Sequence, residues 1–506
     1  MTPYVHSQTY GQCVGHVVDA VIVGAGFSGI AAAIELKKLG HDDIVVIERE
    51  DDVGGTWFVN RYPGAAVDIF SSTYQYWFEP NPRWGRLYAE GSELHAYART
   101  VSEKYGVLPH VRLGTAVDSA IWDDDDRVWN ITLSTGEIVA ARFLVNATGF
   151  LSQRHYPDID GLGTFDGEIL HTTWWDPATD LRGRHIGVIG TGATAVQLLP
   201  ELAKQADSLT VYQRTPIWVT PKFDFAVPEQ VKNAFQRVPL LRKTVAMLTN
   251  MLYQFILTTA VINHRRFRRL TSFVEWQCKA LMFVSVRDKA LRHKLTPDYS
   301  FGCKRPSLSN TYYRMFAKPH VSLQTAGIAR IEPDGIVAND GTKTPIDTLV
   351  LATGFNVWEH NFPSYATIGR DGVDLGKWWR AHRYASYEGI TVPNFPNYLG
   401  MTSPFAFTGV SYFDTIRAQT VHMNRLFGEL RRRGATTFEV SEDAALEWTE
   451  RMRTKMNDSV LFQGRCASSN TYYFNDDGDA CWFRPTSSRA AFKQQARFPL
   501  GDYRIV

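Results

Sequence analysis

One local pattern, a strand running into a glycine turn that opens a helix, occurs twice in this chain, and no other feature restricts its fold as much. Asp19-Ala-Val-Ile-Val23 has the character of a short buried strand. Gly24-Ala-Gly26-Phe27-Ser28-Gly29 follows at once, and Ile30 to Leu39 has helical periodicity. Gly24 permits the tight turn, Gly26 lets the backbone approach a pyrophosphate, and Gly29 lets the helix pack closely on the strand. The helix N-terminus then offers amide donors to phosphate. Arg184-His-Ile-Gly-Val-Ile189 repeats the strand, Gly190-Thr191-Gly192-Ala193-Thr194-Ala195 repeats the turn, and a helix carrying Gln197 runs to Leu202. The expected fold is α/β, with two Rossmann-like dinucleotide-binding domains.

The two halves differ in the residue that would meet the ribose. In the first, the strand Ile44-Val-Val-Ile47 ends in Glu48, whose carboxylate can accept hydrogen bonds from ribose hydroxyls. In the second, the strand Leu209 to Tyr212 leads to Arg214 and Thr215. Gly24 to Glu48 and Gly190 to Arg214 are both separations of 24 residues, which predicts equivalent strand ends for the acid and the base. A carboxylate repels a 2′-phosphate and a guanidinium holds one, so the first site is expected to take FAD and the second NADPH. Phe143-Leu-Val-Asn-Ala-Thr-Gly149 and Thr348-Leu-Val-Leu-Ala-Thr-Gly354 are matched return strands between the two domains.

At 506 residues the chain exceeds what one core serves, so two or three domains are expected. Lys plus Arg (54) balance Asp plus Glu (52), a surface without a continuous field for a polyanion, which argues against nucleic acid as a partner. The five cysteines (Cys13, Cys278, Cys303, Cys466, Cys481) form no CxxC pair and no metal-like cluster. That spacing fits a reducing, cytoplasmic compartment, calls for no metal, and argues against a dithiol reductase. The first 18 residues lack the flank and apolar run of a signal peptide and are expected to form a loose leader. Thr244 to Asn263 carries no charged side chain and lies between Arg242-Lys243 and Arg265-Arg266. Its Thr, Asn and Gln content favours a buried helix over a transmembrane span, with a peripheral membrane contact as the other reading.

Between the halves stands Phe165-Asp-Gly167-Glu-Ile-Leu-His171-Thr-Thr-Trp-Trp175-Asp176, which resembles the FxGxxxHxxxWD fingerprint of Baeyer–Villiger monooxygenases. Beyond Glu48, Gly54-Gly55-Thr56-Trp57-Phe-Val-Asn-Arg61-Tyr62-Pro63-Gly64-Ala-Ala-Val-Asp68 resembles that family's GGxWxxxxYPGxxxD loop. Taken alone, glycines followed by an aromatic and a Pro-Gly turn describe a loop packed against something flat. Phe301-Gly-Cys-Lys304-Arg305-Pro306 is similar to the family's Lys-Arg segment, and Ser468 to Pro485, with Tyr472, Tyr473 and Trp482, to its closing segment. The likeness spans roughly residues 19 to 485.

The resemblance implies an FAD- and NADPH-dependent monooxygenase in which NADPH reduces FAD and dioxygen gives a peroxide at flavin carbon 4a. That peroxide attacks a ketone to form an ester or lactone. It implies Arg305 as the essential active-site cation and Asp68 as its orienting partner. Lys304 would assist at the 2′-phosphate, and Gly55, Thr56, Trp57, Tyr62 and Tyr74 would lie at the flavin. Read from the residues alone, His171 is a packed linker histidine and Trp175 a core aromatic, which would position the hinge between domains and perform no chemistry. No side chain activates dioxygen, so the cofactor must carry that chemistry while a fixed cation stabilises developing negative charge. An S- or N-oxygenating flavin monooxygenase is the alternative, disfavoured by the complete loop to Asp68 and by Asp176. The expected domains are 1–155 with 360–506 for FAD and 156–215 with 300–359 for NADP. A helical insertion, 216–299, would shape substrate access. Partners would be a small-molecule ketone and dioxygen; nothing in the sequence sets the particular ketone or the oligomeric state.

Overall fold

The computed structural model describes residues 16–506, so most of the expected leader lies outside the described residues. A mixed eight-stranded sheet holds the first glycine turn. Its strand Val18–Val23 pairs in parallel with Ile44–Ile47 on one side and with Ile138–Asn146 on the other. Antiparallel strands Val117–Asp123 and Val128–Leu133 extend it, and the late strands Ala366–Ile368 and Tyr398–Gly400 return to it. The helix Phe27–Lys38 lies between this sheet and the long helix Tyr412–Arg433, with ten of its twelve residues buried. Gly29 and the run Ala31–Ala33 allow that close approach, and Ile30, Ile34 and Leu36, all nearly inaccessible, each contribute about 1.5–3 kcal/mol of burial.

The second glycine turn belongs to a five-stranded sheet that is parallel throughout, in the order Val321–Gln324, Ser208–Tyr212, His185–Ile189, Thr348–Leu351, Glu168–His171. Its central strands are near-continuous apolar runs, as a sheet covered on both faces requires. The two Rossmann-like units expected from the repeated motif are thus both present.

Residues 229–295 form the helical insertion. Here one expectation fails: Thr244 to Asn263 is not a buried helix. The helix Pro239–Tyr253 has no buried residue: Thr249, Asn250 and Tyr253 are half-buried on its inner side, while Leu240, Met247, Leu248, Met251 and Leu252 point out. Thr249 lies 3.3 Å from the Ser72 hydroxyl, Tyr253 3.1 Å from the Tyr88 hydroxyl, and Gln254 donates to Asp414 at 3.1 Å. The absence of charge therefore signalled an exposed apolar face, not a core. The reducing compartment inferred from cysteine spacing also did not anticipate that Cys303 and Cys466, 163 residues apart, are joined by a disulfide.

Candidate active site

The first turn has the shape a pyrophosphate needs. Gly24 adopts φ +103°, and a Cβ there would lie 2.6 Å from the Ala147 carbonyl oxygen; one on Gly29 would lie 1.8 Å from that of Gly24. Gly26 faces Gly55, where an added Cβ would stand 3.0 Å from the Gly26 Cα, so both backbones line the same narrow cleft. The helix beginning at Phe27 has no side-chain cap, which leaves its first amides free for an anion. Glu48 accepts from the Ala25 amide at 2.7 Å and the Glu50 amide at 3.0 Å. Burial pushes its carboxyl up while those two amides pull it back. Phe27, Ser28, Glu48, Thr56, Trp57 and Tyr74 line a cleft of about 1160 Å³, counting its open mouth. Trp57 donates to the Tyr74 hydroxyl at 3.2 Å, and in the same cleft the Tyr365 hydroxyl is buried without a partner among the described residues. These residues fit a dinucleotide carrying a flat ring system.

The second turn repeats the device. Gly190 has φ +115°, and a Cβ there would lie 2.3 Å from the Ala352 oxygen, as Gly24 meets Ala147 on the matching return strand. The helix Ala193–Leu202 likewise starts without a side-chain cap, and nothing lies within 4 Å of a Cβ built on Gly192. The equivalence of Glu48 and Arg214 needs correction, however. Val23 is in register with Ile47 and Ile189 with Tyr212, and the Gly24 and Gly190 amides donate to those same two carbonyls. The counterpart of Glu48 is therefore Gln213, and Arg214 stands one residue beyond. Equal separations misled because the second connection is one residue shorter. Gln213 is buried and donates to the Lys294 carbonyl at 2.7 Å, so no carboxylate occupies that position. Arg214 is exposed beside Lys304, whose amine is pushed down to about 8 by burial and then by the Arg214 charge. Neither cation pairs with a carboxylate among the described residues, and two adjacent cations fit a 2′-phosphate.

The remaining candidates of this half divide. Thr191 donates to the Thr215 carbonyl at 2.7 Å, and Asn470 to the Thr215 hydroxyl at 2.8 Å, which ties the closing segment to this rim. Gln197 is taken up elsewhere: its oxygen accepts from Tyr62 at 2.8 Å and its amide donates to the Ala66 carbonyl at 2.9 Å. Both Gln197 and Tyr62 therefore clamp the Gly54–Asp68 loop onto the nucleotide helix of the other half. Gly64, with φ +82°, presses on the same helix, where a Cβ would come within 2.8 Å of the Gln197 backbone carbonyl oxygen.

That clamp sets Asp68. Arg305 grips it with two bonds, Nε to Oδ2 at 2.6 Å and Nη2 to Oδ1 at 2.8 Å. The side chains keep 38% and 23% exposure respectively, so the pair faces an open cleft and not a sealed core. Burial raises the Asp68 carboxyl, but the Arg305 charge and hydrogen bonds outweigh it and hold the group below the usual carboxylate range. Asp68 in turn holds Arg305 further above the ordinary guanidinium range, so both stay ionised at any working pH. Tyr472 and Tyr473 lie close enough to Arg305 to feel its charge. The Cys303–Cys466 bond staples this closing segment to the Lys304-Arg305 loop. Neither that bond nor the approach of Tyr88 and Tyr253 left a sequence signal, since the partners are more than 160 residues apart.

The segment from Phe165 to Asp176 lies apart from this pair. A Cβ on Gly167 would fall 2.3 Å from the Asp347 oxygen and 2.6 Å from the Phe165 ring, so this position admits only glycine. His171 is 7% exposed; the Thr173 amide donates to its Nδ1 at 3.1 Å, and its Nε2 has no partner among the described residues. Burial, then the Arg154 charge, pushes it down to about 4, which keeps it neutral. Trp174, which sequence reasoning passed over, has φ +61°, donates from its ring to Glu50 at 2.6 Å, and lies under Arg154 at 3.8 Å. Trp175 is buried in the core of the parallel-sheet unit, and Asp176 accepts from the Ala178 amide at 2.9 Å in a turn. The strap joins the two halves.

Two glycine turns built for dinucleotides, together with an ionised Arg–Asp pair on the loop clamped between their units, define a two-nucleotide oxidoreductase. The family described as pyridine nucleotide-disulphide oxidoreductase matches residues 21–269. A Baeyer-Villiger monooxygenase of Streptomyces coelicolor is 34% identical over 97% of this chain and 93% of its own length. Another, of Pseudomonas aeruginosa, is 34% identical over 88% and 84%. Among solved structures, the closed form of cyclohexanone monooxygenase is similar with a TM-score of 0.85 at 27% identity, covering 97% of this chain and 99% of that one. An oxidized steroid monooxygenase bound to NADP reaches 0.86 at 25% identity, covering 97% and 100%. The chain belongs to the Baeyer–Villiger monooxygenase family.

Proposed function

We propose that the chain uses FAD and NADPH to insert one oxygen atom of dioxygen beside the carbonyl of a small-molecule ketone, giving an ester or lactone. The observation that carries this is the bidentate Arg305–Asp68 pair, placed by a loop that is clamped to both nucleotide units. In this reading FAD lies on the Gly24–Gly29 turn, with Glu48 at its ribose and Gly55, Trp57 and Tyr74 along its ring. NADPH lies on the Gly190–Ala195 turn, with Arg214 and Lys304 at its 2′-phosphate. Of the described residues, those within 1–155 together with 360–506 would form the FAD domain, 156–215 with 300–359 the NADP domain, and 216–299 the insertion that shapes access.

The bound flavin supplies the activation of dioxygen and the oxygen transfer itself. The chain's own residues then do the electrostatic work. Arg305, a fixed cation with no proton to lose, stabilises negative charge arising on oxygen, either before attack or on the former ketone oxygen, an effect worth several kcal/mol, roughly, once bound nucleotides and substrate exclude water from the open cleft. Asp68 holds the guanidinium in one orientation and partly offsets its charge, so that the cation is available to a second anion without being free to swing. Incubation with NADPH and a panel of ketones and sulfides, with products weighed by mass spectrometry, tests the reading. Ketone products one oxygen heavier that hydrolyse as esters support it; oxidation confined to sulfur or nitrogen would replace it with the alternative oxygenase.

A further inference from the structure

The outward side of the insertion is unused by this chemistry. The helix Pro239–Tyr253 continues into a π-helical turn, Gln254–Thr259. Leu240 (74% exposed), Met247 (56%), Leu248 (56%), Met251 (61%), Leu252 (54%) and Phe255 (54%) form one outward apolar stripe, which recurs every three or four residues from Met247 on and is interrupted by exposed Lys243 and Thr244 after Leu240. At 1.5 Å per residue it is about 22 Å long, far more than scattered surface apolar residues need explain. Pro239–Ile262 is long and apolar enough to cross a bilayer, but its middle is fastened to the body, where Thr249, Tyr253 and Gln254 bond to Ser72, Tyr88 and Asp414. Such a helix can lie in an interface and cannot turn to span it.

The charge around the stripe says what covers it. Residues 230–274 contain no Asp or Glu and eight Lys or Arg, in a chain whose net charge is only +2. Arg265, Arg266, Arg268 and Arg269 are all exposed at the Phe255 end, where the Phe255 and Phe267 rings are 6.3 Å apart. Arg265 also lies 3.6 Å from Asp458; the other three pair with no carboxylate among the described residues. Lys243 is exposed toward the other end. A second copy of the chain would bring the same cations face to face, whereas phosphate headgroups above an acyl layer match both cations and stripe. Stacked Phe273 and Trp276, both more than half exposed on the next helix, are of the residue types that favour such a boundary.

We propose that this face docks the enzyme on an anionic lipid surface, with the helix lying in the interface and its inner edge, at Tyr253, adjoining the cleft of Asp68. The claim does not depend on the reaction catalysed. Flotation of the FAD-loaded protein with phosphatidylcholine vesicles, with and without phosphatidylglycerol, tests it. The protein should rise with the anionic vesicles, less so in high salt, and stay down with the neutral ones. Met247→Glu with Met251→Glu should lower the vesicle-bound fraction roughly tenfold or more while flavin content is unchanged. Replacing the four arginines at 265, 266, 268 and 269 by Gln should remove the preference for phosphatidylglycerol. Wild-type protein that remains down with both vesicles overturns the proposal, as does a double variant that floats equally well. A wild-type dimer that the Met substitutions dissociate, without vesicle binding, assigns the stripe to a second copy instead and also overturns it.

Discussion

Raising the pH through the titration of Lys304 should weaken NADPH binding and leave NADH unaffected. The amine is held at about 8 instead of 10.5 in the protein, so its charged form is disfavoured there by on the order of 3 kcal/mol. A 2′-phosphate, doubly ionised above pH ~7, favours that charged form and draws the pKa back up. Binding therefore takes up a proton once the pH passes about 8, and affinity must fall from there as pH rises. If the phosphate restores the ordinary value, Kd for NADPH increases roughly 20-fold between pH ~7.5 and ~9.5. Anaerobic flavin reduction in a stopped-flow instrument gives that Kd directly from the dependence of rate on NADPH concentration. NADH lacks the 2′-phosphate and should give a flat profile, and Lys304→Gln should flatten the NADPH profile at its weak end. An NADPH affinity that is constant across this range, or an equal loss for NADH, would refute the placement of Lys304.

Gln213→Glu puts a carboxylate at the true counterpart of Glu48 and should lower the NADPH-over-NADH preference by roughly tenfold or more, read from the ratio of kcat/KM values; an unchanged ratio would mean the strand register does not govern selectivity. Arg305→Ala should keep the protein yellow yet reduce ester formation about 100- to 1000-fold in single turnovers, with the deficit in kcat and not in ketone KM. Gly167→Ala forces a Cβ to within 2.3 Å of the Asp347 oxygen and should cost about 1–3 kcal/mol, seen as a lower Tm, with flavin content retained in the folded fraction.

What the sequence disclosed followed from local rules. Gly29 is dictated by the Gly24 carbonyl within one strand–turn–helix unit and Gly24 and Gly190 by the positive φ of their turns, so their roles could be read from neighbouring residues, although a Cβ on Gly24 or Gly190 would also meet the return strand at Ala147 or Ala352. Asp68 and Arg305 were found only through the family resemblance, because 237 residues separate them and a Lys-Arg pair on a loop looks like ordinary solvated surface. The Glu48–Arg214 pairing failed by one residue since counting cannot see element lengths: Ala193–Leu202 is two residues shorter than Phe27–Lys38, and Ser208–Tyr212 is one longer than Ile44–Ile47. The segment at 244–263 failed for a different reason: hydropathy measures how apolar a helix is and not which way its apolar side faces. Gln197 shows the same limit, as a residue in the right motif whose amide is spent on the Tyr62–Ala66 loop.

Oxygen tracing addresses the central assignment most directly. With a ketone substrate, NADPH and 18O-labelled dioxygen, the purified yellow protein should give an ester carrying one labelled atom, with one NADPH consumed per ester formed. Label arriving from 18O-water, or ester forming on protein stripped of flavin, would contradict it.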